Sequence, residues 1–139
     1  MRYLGLDLGT RTLGIAISDK TGLIASTLKT IRFQEGKEDT LLEEIKKIVL
    51  EESIDGIVLG LPRNMNYSIG ERGESTILFQ KKLENYLNMN VELQDERLST
   101  VEATNYLLEA DLSRKKRKKH VDSVAATIIL QTYLDKKKG

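Results

Sequence analysis

The sequence predicts an α/β fold on one mixed five-stranded sheet with helices packed on both faces, and three observations predict it. Apolar residues alternate with a period of two through the first three runs, which short polar turns join. From Lys37 the apolar period becomes helical. Beyond that point short apolar runs alternate with amphipathic ones, the pattern of strands that return through helices packed on a sheet.

The first strand runs from Arg2 to Leu8, with Leu4, Leu6 and Leu8 on one side and Tyr3, Gly5 and Asp7 on the other. Gly9 to Thr12 turn the chain, and Leu13, Ile15 and Ile17 resume the alternation up to Ser18-Asp19. A third strand of about Leu23 to Phe33 follows the Lys20-Thr21-Gly22 turn, which completes an antiparallel meander. A helix spans Lys37 to Glu52, with Leu41, Leu42, Ile45, Ile48 and Val49 on its apolar side. The nearly all-apolar run Ile54 to Leu61 reads as a buried parallel strand, ended by Pro62. Arg63 to Gly73 is polar and glycine-rich and reads as a loop. A helix of about Glu74 to Leu87 leads to a strand at Val91 to Gln94. A helix of about Thr100 to Ala110 follows, then a final helix of roughly His120 to Leu134. Residues 136–139 are expected to fray.

At 139 residues the chain has room for one domain, residues 1–139, and not for two lobes with separate cores. It has no cysteine and a single histidine, His120, so thiolate and histidine metal sites are excluded; any metal would be a hard cation held by oxygens. The N-terminus does not read as a secretory signal, and no apolar stretch approaches the roughly 18 residues of a membrane span. A soluble, cytoplasmic protein without a membrane partner is expected.

The net charge of +1 conceals an uneven distribution. Arg114, Lys115, Lys116, Arg117, Lys118 and Lys119 are six cations in succession. Taking these six from the 22 basic residues leaves 16 against 21 acids, a balance of −5. Such a run is often only a solvated loop; it also suits a polyanionic backbone.

Among the many acids, the informative ones sit where an acid is costly. Asp7 lies near the end of a core strand, where a carboxylate costs desolvation unless it is hydrogen-bonded, paired or bound to a metal. It either caps the Gly9-Thr10 turn or serves a site that Gly5 and Gly9 leave open. On a helical wheel with Val121 at zero and about 100° per residue, Asp122 falls inside the apolar arc, between Ile129 and Tyr133. A ligand role or a first turn projecting past the sheet edge would each account for it. Asp95 and Glu96 follow the fifth strand, where they could cap the next helix or join a site at the strand ends. Carboxylates converging on one sheet edge repel one another unless cations lie between them. One or two Mg²⁺ or Mn²⁺ ions would relieve that repulsion and promote attack on a phosphodiester.

Four segments, in order and spanning nearly the whole chain, resemble the YqgF family, also called RuvX: GLDLGTRTLGIAISD at Gly5 to Asp19, IVLGLPRNM at Ile57 to Met65, DERLST at Asp95 to Thr100, and KKHVDSVAATIILQTYL at Lys118 to Leu134. The resemblance implies a ribonuclease H-like fold related to the resolvase RuvC. It implies a metal-dependent nuclease that matures the 5′ end of the 16S ribosomal RNA precursor, and by motif it makes Asp7, Glu96 and Asp122 the catalytic, metal-binding acids, with Asp95 in a supporting place. The family's Asn-Met-Asp-Gly loop is here Asn64-Met65-Asn66-Tyr67, which puts the shape of that loop in question. Related resolvases carry an acid at the end of the fourth strand, where this chain has Gly60-Leu61-Pro62.

Nucleic-acid contacts are expected from Arg11, Arg97 and the basic run 114–119, although Arg97 could equally pair with Asp95. Gly70, Arg72 and Glu74 are placed to line the same edge. The Asp7 to Thr10 loop also resembles the phosphate loop of actin-like ATPases and sugar kinases, but 139 residues leave no room for their second lobe. The remaining alternatives are a resolvase of four-way DNA junctions, which would need a homodimer to present two symmetric sites, and a non-catalytic module binding structured RNA. Aromatic residues are only 5% of the chain, which disfavours base stacking and favours backbone recognition.

Overall fold

A computed structural model of the chain describes residues 1–62, 69–95 and 114–138, with side chains from 124 to 137 in the last segment. Strands β1 (Tyr3–Leu8), β2 (Thr12–Ser18) and β3 (Ala25–Arg32) form the antiparallel meander. Helix α1 (Thr40–Glu51) returns the chain to β4 (Gly56–Leu61), which lies parallel to β1. Helix α2 (Glu71–Leu87) leads to β5 (Val91–Asp95), parallel to β4. Helix α3 (Arg114–Lys138) completes the described elements, and the five strands run in the order β3-β2-β1-β4-β5. The mixed five-stranded sheet is therefore present as expected.

The period-two alternation divides the core. Leu4, Leu6 and Leu8 of β1 join Leu13 and Ile15 of β2 on the face covered by α1 and α2, where Ile45, Phe79 and Leu83 are buried. Tyr3, Ala16 and Val58 face the other way, against Ala126, Ile129, Leu130 and Leu134 of α3. This second face is lined by small residues, and α3 sits very close to it. A Cβ at Gly5 would lie 2.7 Å from Leu130 Cβ and 3.2 Å from the Ala126 carbonyl oxygen.

Several boundaries differ from the sequence reading. The basic run, read as lying ahead of the last helix, is the N-terminal part of α3 itself. Lysine and arginine are good helix formers, and no glycine or proline interrupts the chain from Arg114 to Lys138. Helix α2 begins at Glu71, so Gly73 is helical and buried rather than in a loop. Its absent side chain admits the Pro62 carbonyl oxygen, 2.8 Å from where a Cβ would lie. Helix α3 continues to Lys138, and Lys137 Nζ donates to the Tyr3 hydroxyl at 2.8 Å. That ammonium also lies over the rings of Tyr3 and Tyr133, at 5.2 and 5.8 Å. The Tyr3 hydrogen bond, with the Coulombic influence of Tyr133, holds its pKa above the usual lysine value. The helix expected at Thr100 to Ala110 and the Asn64 to Tyr67 loop lie outside the described residues. No described helix is long and apolar enough to cross a membrane.

Candidate functional site

Because β1, β4 and β5 are parallel, their carboxyl ends meet at one edge of the sheet. Leu6 pairs with Leu59, and Leu61 with Asp95, so Asp7 stands within one residue of the level of Asp95. Two strand spacings, about 10 Å, separate them. The turn bearing Arg11 and the first turn of α2 bearing Arg72 come to the same edge. Arg72 donates from its guanidinium to the Leu8 carbonyl oxygen at 2.8 Å and so holds the end of β1. A groove of about 420 Å³ opens beside this bond, lined by Leu8, Gly9, Thr10, Arg72 and Ser75 among others. Arg11 is exposed and lies 3.6 Å from a Glu35 carboxylate oxygen, a contact that solvent makes weak.

Asp7 alternates with Tyr3 and Gly5, which places it on the α3 side of the sheet. Its neighbours on that face are unusual. Gly14 is its partner on β2, and one step along the β1–β4 register brings Gly60 beside it. Gly5 precedes it on its own strand. The half-buried carboxylate thus stands beside three glycines of the sheet. The sequence reading identified Gly5 and Gly9 as open backbone but not Gly14 or Gly60, because their proximity to Asp7 arises from strand register.

Helix α3 runs antiparallel to β1. Lys137 and Tyr133 lie at Tyr3, and Leu130 and Ala126 lie at Gly5. The contacts move toward the N-terminus of α3 as β1 advances, so the part of α3 ahead of Ala126 lies toward the Asp7 end of the strand. The backbone of Asp122 lies within α3, as do those of Arg114, Lys115, Lys116, Arg117, Lys118 and Lys119, whose side chains lie outside the described residues. Glu96 and Arg97 also lie outside them.

The parity of β5 distinguishes the two acids at its end. Val91 and Leu93 pack on the α1/α2 face, so Glu92 and Gln94 take the α3 side and Asp95 turns away from it. Asp95 is thus on the face opposite Asp7. Among the described residues no three of His, Cys, Asp or Glu gather to hold a metal ion.

A family model described as "RuvX: Holliday junction resolvase" matches residues 1–136. A Bacillus pumilus protein named "Putative pre-16S rRNA nuclease" is 53% identical over 135 residues, covering 97% of this chain and 98% of its own. Among solved structures, the Fowlpox virus resolvase with its substrate Holliday junction DNA superposes with a TM-score of 0.64 at 13% identity, covering 100% of both chains. The Thermus thermophilus RuvC in complex with a Holliday junction substrate gives 0.59 at 12% identity, covering 100% of this chain and 97% of that one. At such identities these two establish a shared fold.

Proposed function

The chain belongs to the RuvX family of nucleases, and from that premise we propose that it is a divalent-metal-dependent endonuclease of the 16S ribosomal RNA precursor, acting in the cytoplasm through Asp7, Glu96 and Asp122. The observation that carries the assignment of the site is Asp7 beside three glycines, at the sheet edge where parallel strands end and on the face that α3 covers. At the strand positions beside Asp7 the sheet carries glycine, so backbone borders the carboxylate there.

The family motif supports Glu96 over Asp95, whose parity on β5 puts it on the face away from Asp7. Register supports Asp122, which shares a helical row with Ala126 and Leu130 over β1. Three carboxylates in a chain with no cysteine are the hard oxygen donors that Mg²⁺ or Mn²⁺ prefers, and one or two such ions belong to this reading. Bound there, the metal would supply Lewis-acid polarisation of the phosphoryl group and a lowered pKa for the attacking water.

The chain's own residues then do the positioning. Asp7 offers its carboxylate from a rigid, hydrogen-bonded strand, and Arg72 immobilises the carbonyl of the next residue. Arg11 and the cations of 114–119 neutralise flanking phosphates, contacts that carry no base information. Six cations at a helix N-terminus are opposed by the macrodipole and by one another, so a polyanion lying across them would relieve an existing electrostatic cost. Hydrolysis adds water to phosphorus and breaks one P–O bond, and the departing oxygen takes up a proton.

Asp7→Asn tests the reading. Cleavage of the ribosomal RNA precursor in Mn²⁺ should fall by at least ~100-fold while RNA binding persists. Cleavage by the variant at the parent rate would overturn it. A synthetic four-way junction in parallel distinguishes the resolvase alternative, for which a homodimer would be required, and binding without cleavage in any divalent metal would favour the passive RNA module.

A further inference from the structure

The apolar contacts that seat α3 on the sheet are non-directional, and hydrogen bonds of defined geometry add to the register that packing sets. Gln131 supplies two such bonds to the turn between β2 and β3. Gln131 Oε1 accepts from the Ala25 N–H at 2.9 Å, and Gln131 Nε2 donates to the Leu23 carbonyl oxygen at 3.0 Å. The side-chain amide thus engages the backbone on both sides of Ile24, as a neighbouring strand would. Nε2 also donates to Asp135 Oδ1 at 3.0 Å, one turn along α3, which fixes the orientation of the amide.

The segment that Gln131 grips is itself held from the opposite side. Asp19 Oδ1 accepts from the Leu23 and Ile24 N–H groups at 2.9 and 3.1 Å, and the Asp19 N–H donates to the Ile24 carbonyl oxygen at 3.0 Å. Asp19 Oδ2 accepts from the Thr21 hydroxyl. Between them, Asp19 and Gln131 occupy the N–H and C=O of Leu23 and Ile24 and the N–H of Ala25. The turn is therefore a fixed post and no longer a loose connection.

We infer that Gln131 is a positioning residue, an axial peg that locks α3 to the β2–β3 turn and thereby sets Asp122 against Asp7. Position 122 lies nine residues from Gln131, about 13 Å along a stiff helix, so axial displacement at the peg is delivered undiminished at the site. Lys137 gives a second attachment at the far end, through a long and exposed side chain. The inference rests on the proposed role of Asp122.

The test compares Gln131→Met, which keeps length and removes both bonds to the turn, with Ile45→Val on the α1 face and with Asp122→Asn. Mn²⁺ affinity is measured by calorimetry without nucleic acid, and cleavage by initial rates at a temperature where every variant is folded. Gln131→Met should weaken Mn²⁺ binding by about 10–100-fold, the usual effect of losing a residue that orients a ligand, and lower kcat with KM retained. Ile45→Val should leave both unchanged despite its lower melting temperature. If Gln131→Met binds Mn²⁺ and cleaves as the parent does while Asp122→Asn has lost both, the peg is refuted and the site stands. If Asp122→Asn itself binds and cleaves normally, the site assignment and the peg fall together.

Discussion

Replacing Gly5 by alanine tests how closely the packing of α3 governs the site. The new methyl carbon would lie 2.7 Å from Leu130 Cβ and 3.2 Å from the Ala126 carbonyl oxygen. Carbon atoms in contact prefer about 3.5–4.0 Å, so one of the partners must withdraw by about 1 Å. Leu130 Cβ is attached directly to the helix backbone, and no change of rotamer moves it. The helix itself must lift. Overpacking of this kind costs about 1–3 kcal/mol, which for a chain of this size lowers the melting temperature by roughly 3–10 °C. The same lift carries the N-terminal half of α3 away from Asp7, and a displacement of about 1 Å in a catalytic group can cost on the order of 100-fold in rate. Thermal unfolding and initial cleavage rates in Mn²⁺, taken well below both melting temperatures, measure the two effects separately. A variant that melts with the parent would refute the close seating of α3. One that is destabilised yet fully active would show that the distance between α3 and β1 does not set the site.

Further outcomes follow from other features. The Thr21 hydroxyl, then the Ile24 and Leu23 N–H groups, hold the Asp19 carboxyl well below the usual carboxylate range. Its contribution to stability is complete above the unfolded pKa of about 3.9 and is lost as pH falls toward the depressed folded value, so Asp19→Asn should flatten the urea midpoint against pH below about 4; an unchanged slope refutes this. Gly73→Ala, which in an open helix would gain about 1 kcal/mol, should instead destabilise, because its methyl meets the Pro62 carbonyl oxygen at 2.8 Å and Ile69 Cγ2 at 2.6 Å; chemical unfolding decides the sign. Replacing Lys115, Lys116 and Lys118 by glutamine should weaken RNA binding alike for unrelated sequences. The salt slope of log K should become shallower by roughly 0.7–0.9 for each phosphate that the variant no longer neutralises. A change confined to one sequence would refute backbone recognition.

Much of the sheet was legible because its signals are local. Leu4, Leu6 and Leu8 announce a strand with one buried face, and the same alternation assigns Asp7 to the opposite face before any partner is known. The parity of β5 was equally available: Val91 and Leu93 are apolar and Glu92 and Gln94 polar, which puts Asp95 in the series of Val91 and Leu93. The glycines beside Asp7 were not legible as a group, since Gly14 and Gly60 meet Asp7 only through pairing with two other strands. Gly73 misled for a related reason: its composition suggests a flexible loop, whereas the structure uses the missing side chain to admit a carbonyl group. Gln131 carries no signal at all in sequence, being one more polar residue on an amphipathic helix. Its significance comes from a turn more than 100 residues earlier.

The contacts of α3 also have a consequence in time. Gln131 reaches back 106 residues to Ala25, and Lys137 reaches back 134 to Tyr3. At about 5–20 residues per second, the meander is synthesised several seconds before its covering helix. During that interval Asp7 has been made, but the α3 residues that cover its face of the sheet have not. A chain that cuts nucleic acid while still being translated beside ribosomal RNA would endanger its own template and machinery. If Asp122 belongs to the centre, the order of elements delays its assembly until translation has passed that residue.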